Sequence, residues 1–128
     1  MKRFLIFVSL NLMFLYPKLT QAEEQAQELP TETSFKVQVK PGKSHEICFK
    51  AEKGDTVEWS YDSTQTVDMN IHHHMDGEVF TPISNKGITK DKDSIVLNRA
   101  DNWCLMWTNI SKSGTLIKGK WSLKKSEN

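Results

Sequence analysis

The chain has 128 residues, 17 basic and 16 acidic side chains, two cysteines and 38% hydrophobic residues. That length allows one domain with a single core. A formal charge of +1 excludes the strongly basic face that a nucleic-acid partner requires.

The N-terminus carries a secretory pattern. Lys2 and Arg3 precede the apolar run "FLIFVSLNLMFLY", and "PKLTQA" follows with Thr20 and Ala22 at the small-residue positions. This reads as a signal peptide over 1–22, cleaved after Ala22. The run is shorter than the ~20 apolar residues of a membrane span, and no second run of that length occurs. A periplasmic or secreted product without a stable membrane anchor is therefore expected. Cleavage removes Lys2, Arg3 and Lys18, three of the 17 basic residues, and none of the 16 acidic ones. The mature charge is then 14 against 16, or −2.

Residues 23–33, "EEQAQELPTET", have no apolar periodicity and read as a flexible acidic leader to a domain over 34–124. Strand signals follow in order: "FKVQVK", closed by Pro41-Gly42; "HEICFKA", closed by "EKGD"; "TVEWSY"; and "VDMNIHHHM". Asp76-Gly77 then supplies the positive φ of a tight hairpin turn into "EVFTPI". "SNKGITKDKD" reads as a polar loop, "SIVLN" as a short strand, and "NWCLMWTN" and "GTLIKGKWSL" as the last two strands. A charged tail covers 125–128. With no helical period, about eight short strands predict an all-β antiparallel sandwich.

Cys48 and Cys104 are the only cysteines. In an exported protein such a pair reads as a disulfide, closing residues 48–104 for roughly 4 kcal/mol before strain. A thiol-ligand pair or a redox pair is the alternative. Strand alternation puts Ile47, Phe49 and Ala51 on one face and Glu46, Cys48 and Lys50 on the other. It likewise puts Trp103, Leu105 and Trp107 opposite Cys104, Met106 and Thr108. With the large apolar residues inward, both cysteines lie on the outer face.

The same alternation sorts the histidines. His72 and His74 share a face with Asp68 and Asn70, while His73 joins Val67, Met69, Ile71 and Met75. A two-residue turn at Asp76-Gly77 sets His73 opposite Phe80, His74 opposite Val79 and His72 opposite Thr81. His73 then reads as a core or rim histidine satisfied by a carbonyl. The His72–His74 pair has the spacing by which one strand presents two imidazoles to an ion, and Met106 is a candidate third ligand. Imidazole suits copper or zinc, and a thioether favours Cu(I). The bland alternative is an exposed polar face that tolerates histidine. Most of Trp59, Trp103, Trp107 and Trp121 are expected in the core. "NIS" at Asn109 has the form of a glycan acceptor. No catalytic triad, phosphate loop or paired catalytic carboxylate motif is present, so enzymatic activity is not expected.

The segments "EICFKAEKGDTVEWSY", "VDMNIHHHMDGEVF", "NWCLMWTN" and a last strand ending in "KGKW" resemble, in this order, the GOLD (Golgi dynamics) domain, over about residues 35–123. The resemblance implies a sandwich of about eight strands with Cys48 and Cys104 bridged, acting as a binding module. The GOLD cargo receptors continue into a coiled coil and a membrane span, and this sequence stops at Asn128, so the expectation is a free-standing exported bacterial relative. The function read from these residues is binding of copper or zinc through His72, His74 and Met106. The alternative is a metal-free protein-interaction module or an accessory subunit in the periplasm.

Overall fold

The computed structural model describes residues 32–127. The expected signal peptide over 1–22, the leader up to residue 31, and Asn128 lie outside the described residues. Six strands follow in order: β1 (Thr33–Val39), β2 (Ser44–Ala51), β3 (Thr56–Met75), β4 (Glu78–Val96), β5 (Asp101–Asn109) and β6 (Thr115–Lys124). They form one antiparallel sheet in the order β1-β6-β3-β5-β2, with β4 paired to β3 off this path. Along β3, residues 56–63 pair with β6 and residues 67–73 pair with β5, while β4 follows β3 along both stretches. The sheet curls into a half-barrel because one long hairpin serves both ends.

Six strands rather than eight is a correction with a physical cause. "TVEWSY" and "VDMNIHHHM" are two stretches of β3, and "EVFTPI", "SNKGITKDKD" and "SIVLN" are all β4. The polar segments lack an alternating apolar signal, yet cross-strand pairing keeps them extended. A register shift of β3 against β4 between Asp62 and Val67 falls where the partner on the other edge of β3 changes from β6 to β5. Charged side chains suit β4, which lies mostly exposed along one edge of β3. There, Asp91 Oδ2 accepts hydrogen bonds from Trp59 Nε1 at 3.2 Å and Asn85 Nδ2 at 3.0 Å.

The inward face is the one that alternation identifies. Val57, Trp59 and Tyr61 from the first part of β3 join Val67, Met69 and Ile71 from the second, all buried against Trp103, Leu105 and Trp107 of β5 and Ile117 of β6. Trp121 is half-buried, its ring stacked 5.1 Å from that of Phe49. Phe35 lies over Gly119, where an added Cβ would come within 2.6 Å of both the Phe35 ring and the Ser60 carbonyl. Only glycine fits there.

Two buried polar residues tie down the loops. Asp55 is 1% exposed and accepts hydrogen bonds from the Glu52 and Ser126 amides and from Lys125 Nζ, at 2.8, 2.9 and 3.0 Å. Burial pushes its carboxyl up, but these donors together hold it below the usual carboxylate range. The side chain of Asn109 is fully buried, with Nδ2 donating to the Val39 and Ser113 carbonyls and Oδ1 accepting from Ser111. The carboxamide in the "NIS" sequence is a structural brace, closed to a glycan. Among the described residues, no helix is long and apolar enough to cross a membrane.

Candidate functional site

The second stretch of β3 is where chemistry-bearing side chains gather. Asp76 and Gly77 both take positive φ, 54° and 78°, as a two-residue hairpin turn demands. His73 pairs with Phe80, His74 with Val79 and Met75 with Glu78, the register that the turn predicts. His72 does not face Thr81, because a shift between Ile71 and His73 breaks the ladder there.

On the outer face, β5 lies between β2 and β3. Cys104 is opposite Cys48 on one side and His72 on the other, and Met106 is opposite Glu46 and Asn70. The two sulfurs form a disulfide, with Cys48 exposed and Cys104 covered. Glu46 and His72 start two strand spacings and two residues apart, about 12 Å between backbones, yet Glu46 Oε1 lies 3.0 Å from His72 Nε2. Their side chains therefore lean together across β5. One ligand atom from each of Glu46, His72 and Cys104 lies within 4.8 Å of the other two. His72 Nδ1 is 2.8 Å from Asn70 Oδ1.

This arrangement corrects the expected His-x-His site. His72 is 5% exposed rather than part of an open polar face. The rings of His72 and His74 stand edge to face, 5.2 Å apart, and His74 is exposed. The group that converges is Glu46, His72 and Cys104, with His74 outside it. Met106 is on the expected face, beside Glu46 and Asn70. Both ring nitrogens of His72 face oxygen atoms, and Cys104 is spent in the disulfide. An ion has no open lone pair to take here while those contacts stand.

On the inner side, His73 is 5% exposed. Its ring lies 4.3 Å from Trp103 and is stacked 5.3 Å from Phe80. Its Nδ1 is 3.3 Å from Asp101 Oδ2, so a carboxylate fills the place expected of a carbonyl. Arg99 Nε reaches the same carboxylate oxygen at 3.3 Å, and its guanidinium contacts the Met75 sulfur. The Asn102 backbone N–H holds the Asp101 carboxyl below the usual range, against a smaller opposing effect of burial and with help from His73 and Arg99. Beyond this braced layer the hairpin end is open, with Phe80 37% exposed on the inner side, Val79 57% exposed opposite His74, and the exposed turn residues Asp76 and Glu78 beside them.

Sequence reasoning missed Glu46 and Asp101 as partners of the histidines. Glu46 was legible as an outer-face neighbour of Cys48. The missing information was strand order, since no local pattern places β5 between β2 and β3.

Neither a family model nor a curated protein matches the chain. Similar folds occur among solved structures. One is the periplasmic inhibitor of g-type lysozyme PliG from Aeromonas hydrophila, with TM-score 0.55 and 11% identity over 74% of this chain and 86% of that one. Another is the Yersinia pseudotuberculosis-derived mitogen, with TM-score 0.52 and 11% identity over 78% of this chain and 90% of that one. At such identity these likenesses speak for the curled all-β fold and not for a shared function.

Proposed function

We propose that this chain is an exported, non-catalytic protein-binding module that meets its partner through the end of the β3–β4 hairpin. The observation that carries the reading is the exposure of Phe80 on a stiffened support, with Val79 exposed on the opposite face of the same strand. Phe80 is backed by His73, His73 by Trp103 and Asp101, and Met75 by Arg99. Apolar contact groups that are already ordered lose less entropy on association, and aromatic anchors dominate protein interfaces.

Two further points support the reading. The fold is similar to that of a g-type lysozyme inhibitor, whose name describes action on another protein, and to that of a mitogen; neither name describes catalysis. The motif order resembling GOLD domains also points to a binding module. The secretory pattern read over 1–22 supports a periplasmic or extracellular setting, where such a partner would be met.

A g-type lysozyme is the first partner to try. Purified mature protein is titrated into peptidoglycan hydrolysis by that enzyme, and direct binding is followed in parallel. The same titration uses Val79→Ser/Phe80→Ser and a control, Lys36→Ser, on the distant β1. Saturable binding lost by at least tenfold in the hairpin variant and kept in the control supports the reading. Binding to this or any later partner that is indifferent to the hairpin variant overturns the assigned surface.

A further inference from the structure

We propose that the outer face of β2, β5 and β3 holds a latent zinc site, formed by Cys48, Cys104, His72 and Glu46, which opens when the disulfide is reduced. It is independent of the hairpin end and of the protein-binding reading.

The geometry argues for it in three steps. First, three of the four ligands are gathered already, one ligand atom from each of Glu46, His72 and Cys104 lying within 4.8 Å of the other two, and Cys48 is the bonded neighbour of Cys104. Cys48, Cys104 and His72 stand in one row across three neighbouring strands, and Glu46 leans over that row to reach His72. Two thiolates, an imidazole and a carboxylate form a four-ligand set suited to tetrahedral zinc.

Second, the spacing is close to that of bound ligands. Two atoms each about 2.1 Å from a tetrahedral ion stand about 3.4 Å apart. His72 Nε2 and Glu46 Oε1 are 3.0 Å apart, so a few tenths of an ångström of movement admits the ion. The Glu46 side chain is 42% exposed and free to make that movement.

Third, His72 has the support that a ligating imidazole needs. Asn70 Oδ1 lies 2.8 Å from Nδ1. An Nδ1–H donating to that oxygen fixes the tautomer, so that an ion displacing the direct His72–Glu46 contact meets the Nε2 lone pair in the gap it opens beside Glu46. A cation in that gap satisfies both the lone pair and the carboxylate. Outer-shell partners of this kind orient metal-bound histidines.

The chemistry balances with a dithiol reductant. The dithiol passes two electrons to the Cys48–Cys104 bond and leaves as its own disulfide, and both cysteines become thiols. Zn(II) then binds, and each thiol releases one proton to solvent. The reverse exchange, in which a disulfide oxidant takes the two electrons and leaves as its dithiol, expels the ion, because a disulfide sulfur is not a thiolate ligand.

The test uses the mature protein, oxidised or reduced with dithiothreitol and then freed of it anaerobically. Co(II) serves as the coloured probe and Zn(II) as its competitor. The reduced protein is expected to bind one equivalent of Co(II), with tetrahedral ligand-field bands and thiolate-to-cobalt charge transfer, and Zn(II) displaces it. Oxidised protein shows no charge-transfer band. His72→Ala weakens binding at least tenfold, Asn70→Ala about tenfold, and His74→Ala leaves it unchanged. Should reduction unfold the chain, added Zn(II) is expected to refold it, because binding energy at such a site is folding energy. Failure of that rescue overturns the proposal. So does equal binding by oxidised and reduced protein, or binding indifferent to His72→Ala.

Discussion

His72 and His73 are chain neighbours, each 5% exposed and each beside a carboxylate, yet the strand sends them to different worlds. His73 belongs to an aromatic layer between Phe80 and Trp103, which braces the hairpin end. His72 belongs to a polar row with Glu46, Asn70 and the disulfide. Burial alone does not separate the two roles. What separates them is the company each face keeps, apolar ring surface on one side and ligand-type atoms on the other.

The sharpest way to break the inner region is Trp103→Ala. It removes a 1% exposed indole and should cost about 4 kcal/mol, read by urea denaturation, with loss of the ordered hairpin end. On the outer side, Cys48→Ala/Cys104→Ala opens the bridge between β2 and β5 and should cost about 3 kcal/mol. Its denaturation should leave the Trp103 environment native-like below the transition.

The two histidines give a smaller, more discriminating pair. His73→Ala loses two ring contacts and a carboxylate partner, for about 2 kcal/mol. His72→Ala loses polar contacts to Asn70 and to the half-exposed Glu46 carboxylate, for about 1 kcal/mol. Equal losses would mean that the faces are not energetically distinct.

The smallest effect is one of pH. The Asp101 carboxyl is held below its ordinary value of 3.8 by the Asn102 amide above all, then by His73 and Arg99. Its folded value is depressed, so its stabilisation is complete above the unfolded value and lost as pH falls through the folded one. Asp101→Asn should therefore flatten the stability profile below about pH 4, a change visible in denaturation midpoints between acid and neutral pH. Asp55, likewise held low, leaves part of the acid loss in place. A profile unchanged by Asp101→Asn would remove the carboxylate from the account of the inner layer.

Much of this was legible in alternation. The parity of Ile47 and Phe49 against Cys48, and of Trp103 and Trp107 against Cys104, is enough to place the disulfide on the outer face. Asp76-Gly77 is enough to set His73 against Phe80. What alternation does not carry is neighbourhood beyond the hairpin. The polar run from Ser84 to Asp93 is a strand because β3 pairs with it, not because of its own residues. Glu46 reaches His72 because β5 inserts between their strands, a fact of topology with no local signature. The same gap led to His74 as partner of His72, since spacing within one strand is visible in a sequence and a third strand's carboxylate is not.

The division of labour between the three adjacent histidines of β3 is tested most directly by nitrogen NMR of histidine-labelled mature protein, which also carries His45, reduced, with and without one equivalent of Zn(II). The account predicts that Nε2 of His72 alone moves to a metal-bound shift, while the nitrogens of His73 and His74 stay where they were. Joint movement of His72 and His74 would restore the His-x-His pair and contradict it.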